Sequence, residues 1–547
     1  MEPTDLQKAI IDYEGNTVVL ASPGSGKTFV VSEKIRRILR KDNILPYHGV
    51  IAISYTRKAS ANLKRRTVGD GLGLKNSFFG TIDNFCLTQI VEPFGDYVFG
   101  HPQQKLTILE LNDMGKDKSA SFTWIDKNHP DYVNITAEQM SDIGGLFREG
   151  VILVESLELI ALHIVLKCVA CQNYLRARYK YIFIDEFQDA DTYTSSIFLK
   201  LIDLGLTGFA VGDENQSIFG FAHKDSKYIR ELKNNSSFKE FSLNKNFRCP
   251  IPIINYSNRL LDEKCPIVES DEEAVFLIRI SGSEFDIAQF IDKNLKKICK
   301  QWNVINNSKI AILVKNNRTQ EIIDKSLTTP HRKVRTTKLD EDLNPKSRLF
   351  SILLQFYFDK TMPFMSVIDE YVDYGTLSQY DKKRLNEYFS IIRSIEEDDI
   401  DELPDNFRMI ANILLPKIDE GSSMIRLKSV LSDKSALYSY MPMNDNEIQL
   451  MTLYKSKGLE FDIVFHLNVC EWELPSKRVE NNNFNNPIYN NWEQDIYLHY
   501  VGITRASKAC YLIRGTYRTN FSDDLKTAKD SEFLNINDLP SLRKDYN

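Results

Sequence analysis

The chain has 547 residues, with 69 Lys plus Arg against 75 Asp plus Glu and a formal net charge of −6. Apolar residues make up 42% and charged residues 26%, with 24 Gly and 18 Pro, which excludes collagen-like, low-complexity and wholly disordered chains. At about 100–200 residues per domain the length predicts several folding units, and the acidic balance excludes a basic surface over the whole protein but not a local basic channel.

The first five residues, Met-Glu-Pro-Thr-Asp, carry no basic segment followed by an apolar run, so no signal peptide is expected. Strands are predicted at 17–21, 50–54, 181–185 and 209–212. These runs are almost continuously apolar, as in strands buried on both faces of a parallel sheet. Helical patterns stand between them, at 27–40 and 59–66. From Phe85 to Arg178 the pattern turns helical. Its most apolar stretch, 151–171, is interrupted by Glu155, Glu158, His163 and Lys167 and so predicts an amphipathic helix rather than a membrane span. The single Cys168-Val169-Ala170-Cys171 lacks the second pair that a metal site needs, and all eight scattered cysteines read as reduced thiols. A second strand set is predicted at 275–280, 310–314, 450–453, 463–467 and 510–513, interrupted from Gln320 to Asn446 by another helical stretch. The Asn-rich 481–491 segment is expected to be a flexible loop, and the polar tail after Thr516 to be poorly ordered. A cytoplasmic protein with no membrane partner is expected.

Ala21-Ser22-Pro23-Gly24-Ser25-Gly26-Lys27-Thr28 follows the first strand and precedes a helix, the context of a phosphate-binding loop. Its glycines let successive N–H groups point inward as an anion nest at a helix N-terminus. Lys27 is placed to reach the phosphates of ATP, and the Thr28 hydroxyl to ligate Mg²⁺. Tyr181 to Glu186 is an apolar strand ending in two acids: Asp185 suits Mg²⁺ and Glu186 suits a general base.

The word Asp185-Glu186-Phe187-Gln188-Asp189 resembles motif II of the superfamily 1A helicases, the UvrD/Rep/PcrA type, and further motifs follow in that family's order. Gln7 resembles the residue that reads adenine. Residues 54–59 (Ser-Tyr-Thr-Arg-Lys-Ala) resemble motif Ia, and 80–85 (Gly-Thr-Ile-Asp-Asn-Phe) the next DNA-contacting motif. Residues 212–221, from Gly212 through Gln216 and Phe219 to Phe221, resemble motif III. Asn246-Phe247-Arg248 resembles the family's Asn-Tyr-Arg, Thr452 to Phe461 motif V, and Tyr500 to Ala506 motif VI. The resemblance implies an α/β fold of two tandem RecA-like P-loop NTPase domains, each with a mainly helical insertion (1A/1B/2A/2B). Domain 1A is expected at 1–84 and 179–265, insertion 1B at 85–178, domain 2A at 266–319 and 447–547, and insertion 2B at 320–446.

The same resemblance implies roles. Lys27, Glu186, Gln216, Arg248 and Arg505 form the catalytic set, with the two arginines as fingers on the γ-phosphate. Gln7, Ser22, Gly24, Ser25, Gly26, Lys27, Thr28, Phe247 and Glu460 bind nucleotide, Phe247 by stacking on adenine and Glu460 at the ribose. Thr28 and Asp185 hold Mg²⁺. Thr56, Arg57, Lys58, Thr81, Phe221 and Thr452 contact DNA, supported by the basic cluster Lys64, Arg65 and Arg66. Phe29 and Ala222 stand where the family has Arg, and Asp83 and Tyr454 where it has His. All but Phe29 concern DNA engagement. The implied activity is an ATP-dependent helicase or translocase moving 3′-to-5′ on single-stranded DNA. The short insertions are similar to the helicase-like subunits of Gabija-type phage-defence systems. That suggests the alternative of a sensor of single strands or DNA ends that activates a separate OLD-family nuclease.

Overall fold

Two wholly parallel sheets organise the structure, a computed structural model that describes residues 2–40, 45, 47–68, 72–220, 223–372, 374–480, 487–520 and 522–546. The first sheet is built from β1 (Thr17–Ala21), β2 (Gly49–Ile53), β3 (Phe78–Gly80), β4 (Tyr179–Asp185), β5 (Thr207–Gly212) and β6 (Lys239–Leu243), in the order β3-β2-β4-β5-β1-β6. The apolar runs are apolar because both faces are covered. Val18, Ile51, Ile182 and Ala210 face one hydrophobic cluster, while Val19, Val50, Phe183 and Phe209 face another. β3 and β6 escaped the sequence reading for opposite reasons: β3 has three residues, and β6 (Lys-Glu-Phe-Ser-Leu) is a largely exposed, polar edge.

The second sheet comprises β7 (Val275–Ile280), β8 (Ile310–Val314), β9 (His331–Lys333), β10 (Ile448–Thr452), β11 (Phe461–Leu467), β12 (Ala506–Gly515) and β13 (Lys544–Tyr546), in the order β9-β10-β8-β11-β12-β7-β13. β9 pairs with β10 at His331↔Ile448. The second insertion, expected from Gln320, therefore begins only after β9. Gln320 itself lies in the helix Asn317–Ser326, donating to the Leu450 and Val334 carbonyls. The expected boundary at 265 also moves: the helix Ile251–Leu261 buries Ile253, Tyr256 and Leu260 in the core of the second unit.

The tail departs most from expectation. Beyond Thr516 the chain forms the hairpin Tyr517–Thr519/Leu525–Thr527 and ends in β13, which extends the sheet beside β7. Its average polarity hides three anchors, Phe533, Leu534 and Leu539, all fully buried. Asp530 adds an ionic tie by pairing with Arg279 at 2.7 Å and with Arg514. In the Asn-rich segment, residues 481–486 lie outside the described residues, and Ile488–Tyr489 pairs with Lys477–Arg478.

The first insertion is mainly helical but contains a two-stranded parallel ribbon, Thr107–Leu109 with Val151–Leu153. The second insertion packs against the first unit. Residues 339–440 share one hydrophobic cluster with the first insertion and one face of the first sheet. The backbones of Leu106 and Ile418 form a bridge, with Leu106 N–H donating to Lys417 and Asp419 N–H to Leu106. Cys168 and Cys171 are buried in that cluster, and burial pushes the Cys171 thiol up to about 12. Among the described residues no helix is long and apolar enough to cross a membrane.

If the tail is integral to the second unit, Phe533→Ala should cost about 3–5 kcal/mol, the usual range for emptying a buried phenylalanine site. Urea unfolding followed by tryptophan fluorescence measures this through Trp492, whose ring meets Phe533 at 4.8 Å. An unchanged midpoint would show the tail to be dispensable.

Candidate functional site

The loop after β1 is pinned on two sides. Ser22 N–H donates to the Leu243 carbonyl at 3.0 Å, and Phe247 N–H to the Gly24 carbonyl at 2.9 Å. Gly24 has φ +67°, and a Cβ there would fall 2.4 Å from Asn246 Oδ1. Gly26 has φ +87°, and a Cβ would fall 2.8 Å from Gln7 Nε2. Both positions need glycine for backbone conformation and for space. The helix Lys27–Arg40 starts at once, so its first-turn N–H groups, which lack intrahelical partners, open on the loop. Gln7 is 4% exposed, closes a capping box with Thr4 and donates to the Ser25 carbonyl at 3.1 Å. Its helix, Asp5–Asp12, is held by buried Lys34, which donates to the Ile10 and Tyr13 carbonyls. The structure thus commits Gln7 to the shape of the loop.

Two strands away, β4 delivers Asp185 and Glu186. Glu186 sits in the left-handed region, φ 60° and ψ 43°, a costly conformation for a non-glycine residue. Its carboxylate accepts from Gln188 Nε2 at 2.6 Å, while Gln188 Oε1 accepts from Asp213 N–H at 3.0 Å. Burial opposes the Glu186 charge, but the Lys27 and Lys457 ammonium groups and the Gln188 amide outweigh it and hold the carboxyl at about 2. Asp185 is pushed up to about 7 by burial and then by the Glu186 charge. Asp213, at the end of β5, lies 4.0 Å from Lys27 Nζ and accepts from Gln216 Nε2 at 2.6 Å.

The second unit closes this cluster. Arg505, 2% exposed, donates through Nη2 to Gln216 Oε1 at 3.1 Å and through Nε to the Val501 carbonyl at 3.0 Å. Burial and then the Arg248 charge lower its guanidinium to about 10, so it stays cationic at neutral pH. Lys457 reaches Asp189, and Gln494 donates to the Ile218 carbonyl at 2.7 Å. Arg248 pairs with Glu460 at 3.0 Å, so these two expected nucleotide contacts hold each other. Phe247 is 45% exposed beside Lys245, whose Nζ lies 5.1 Å from the ring centroid.

The expected DNA contacts follow strand ends of both sheets. Thr56 caps the helix Arg57–Val68 by accepting from Ala59 N–H, and Thr81 caps Ile82–Phe85 by accepting from Asn84 N–H. Arg57 and Lys58 open the first of these helices. Thr452 ends β10 and is buried. Phe221 lies outside the described residues. Part of the basic cluster is already paired, since Lys64 meets Asp369 of the second insertion at 3.3 Å. Asp83, standing for the family's His, faces Arg348 of that insertion at 3.9 Å.

Six further residues, to which the motifs alone assign no role, complete the arrangement: Gln188, Asp213, Asn246, Lys457, Tyr55 and Phe219. All lie inside the motif words, which was the available signal. Tyr55 and Phe219 stack at 4.9 Å with 24° between planes.

Residues 3–143 and 148–237 match the UvrD/REP helicase N-terminal domain, and residues 341–516 match the UvrD-like helicase C-terminal domain. The chain belongs to the UvrD-like helicase family. Members are ATP-dependent DNA helicases that hydrolyse ATP, and this chain is an enzyme of that class. Its relatives include the Gabija protein GajB of Bacillus cereus (strain VD045), 24% identical across 97% of this chain and 99% of that protein. A probable DNA helicase II homolog of Rickettsia conorii is 22% identical over 99% and 97%. The ATP-dependent DNA helicase PcrA of Staphylococcus aureus is 21% identical over 95% and 84%.

In this helicase the loop geometry makes a direct prediction. Gly24→Ala should weaken binding of a fluorescent ATP analogue by about tenfold or more, since left-handed strain alone costs on the order of 1–3 kcal/mol. Unchanged affinity would show that the Asn246 contact does not shape the nucleotide loop.

Proposed function

We propose that the protein is a motor ATPase that moves 3′-to-5′ along single-stranded DNA, with ATP bound between the two units. One observation supports this reading above the others: Arg505 of the second unit meets Gln216 of the first, in the buried network that holds Lys27, Asp213 and Glu186. Residues from both units thereby converge where phosphate charge develops, so that closing the cleft and catalysing hydrolysis are one event.

In this reading Ser22 to Gly26 cradle the phosphates with backbone N–H groups, and Lys27 holds the β- and γ-oxygens. Gln7 acts by keeping the loop in shape. Phe247 offers its ring to adenine, and Glu460 turns from Arg248 to the ribose. Glu186 takes a proton from the attacking water, oriented by Gln188. Arg248 and Arg505 balance charge on the transferred phosphoryl group, and Gln216 registers its presence. Thr28 and Asp185, an oxygen-donor pair beside the loop, would hold Mg²⁺, which supplies charge neutralisation at the phosphates. Thr56, Arg57, Lys58, Thr81 and Thr452 follow the DNA backbone, and Tyr55, Phe219 and Phe221 offer aromatic faces to bases.

A second reading is favoured by the end-to-end similarity to GajB. Here the same ATPase senses single strands or DNA ends for phage defence and activates a separate nuclease, with little unwinding of its own.

Steady-state ATP hydrolysis with and without oligo-dT tests the motor. Hydrolysis should rise with DNA and vanish in Lys27→Ala. Glu186→Gln should bind ATP normally yet turn over at least about a hundredfold more slowly, the usual contribution of a general base. Full turnover by Glu186→Gln would remove Glu186 from that role. Strong DNA-stimulated hydrolysis without strand separation would favour the second reading.

A further inference from the structure

Lys457 follows the turn Tyr454–Ser456 of the second unit, but its side chain ends inside the first. It is 7% exposed against a fully enclosed Asp189. Its ammonium donates to Asp189 Oδ2 and to the Gln216 carbonyl, each at 2.5 Å. It also lies 5.0 Å from the centroid of the Phe219 ring. A lysine ammonium has three donors and no acceptor. Here the charge is shared among a carboxylate and a carbonyl of the first unit and the face of Phe219, a ring between Tyr55 of the first unit and the core of the second.

Each of these partners leads elsewhere. Asp189 lies three residues beyond Glu186 in a turn whose N–H donates to the Glu186 carbonyl. The Gln216 side chain is the partner of Arg505. Phe219 stacks on Tyr55 and lies 6.3 Å from Tyr454. One cation of the second unit therefore touches the carboxylate turn, the backbone of the Arg505 partner and the stacked aromatic pair.

We propose that Lys457 is a positioning residue that couples cleft closure to the grip on single-stranded DNA, fixing the Phe219 ring against Tyr55 when the second unit is seated on Asp189 and Gln216. The proposal rests on the reading of the protein as a DNA-dependent ATPase. Lys457 acts through its neighbours. Moving the second unit away would strip a buried carboxylate of its cation and the ring of its charge together, so the contact favours two discrete arrangements over a continuum.

The test compares wild type with Lys457→Met, Lys457→Arg and the double variant Asp189→Asn/Lys457→Met. Each is assayed for ATP hydrolysis with and without oligo-dT and for its thermal unfolding midpoint. Lys457→Met should lower the ratio of DNA-stimulated to basal hydrolysis by about two- to thirtyfold, the range over which single residues modulate coupling. The KM for ATP should change less than that ratio, and Lys457→Arg should restore part of it. The double variant removes both buried charges, so its midpoint should return toward wild type while its DNA response stays lost. Full stimulation in Lys457→Met overturns the proposal. So does a double variant that regains stimulation together with its midpoint, because Lys457 is then merely structural. A wild type indifferent to DNA overturns the motor reading and this proposal together, a result distinct from the other two.

Discussion

Everything at the site depends on charges that are buried only because two separate parallel sheets meet. Arg505 and Lys457 are rooted in the second unit, yet their buried partners, Gln216 and Asp189, belong to the first. Breaking a buried charge pair by removing one partner typically costs about 3–5 kcal/mol. The seating of one unit on the other thus combines a few buried polar contacts with apolar packing, Ile218 and Phe219 entering the core of the second unit. The same contacts tune the first unit from outside, since Lys457 and Arg505 help Lys27 keep Glu186 ionised in a site whose burial opposes its charge.

The nucleotide loop shows the same economy on a smaller scale. Its two left-handed glycines are enclosed from opposite sides, Gly24 by Asn246 and Arg248, Gly26 by Gln7. Asn246 does more than crowd: its Oδ1 accepts from the backbone N–H groups of Arg248 and Cys249. It therefore sets the turn that presents Phe247 and Arg248. Loop shape, the exposed Phe247 ring and one arginine are coupled through a single amide side chain, and the helix bearing Gln7 holds the loop at Ser25.

Much of this was legible because strands buried on both faces must be apolar throughout. The apolar runs 17–21, 275–280 and 310–314 coincide with β1, β7 and β8 to their end residues, and the P-loop and the paired acids stand at the ends of β1 and β4. What escaped had a physical cause in each case. β3 and β9 are three residues long, and β6 is a polar edge, so none carries an apolar run. The tail is polar on average and anchored by three buried side chains, a pattern without periodicity. At the site, the residues expected to touch nucleotide stand within recognisable motifs. Those that position them, Gln188, Asp213 and Asn246, work through hydrogen bonds that have no sequence period.

The placement of the second insertion could not be read from sequence at all, because it is a matter of which apolar surfaces meet. Inserted between β9 and β10 of the second sheet, it buries its core against the first insertion and the first sheet. The chain therefore leaves the second unit and returns to it while the intervening helices belong, by packing, to the first. At that crossing Arg332 of β9 donates to the Met441 and Pro442 carbonyls, pairs with Glu447 at 2.9 Å and lies 4.3 Å from the centroid of the Tyr438 ring, whose hydroxyl also meets Glu447. This knot ties both connecting strands to the edge of the second sheet. Contacts at Asp83, Asn84 and Lys64 tie the insertion to the strand ends where DNA contacts are expected. Any displacement of one sheet relative to the other must act across these two sets of ties.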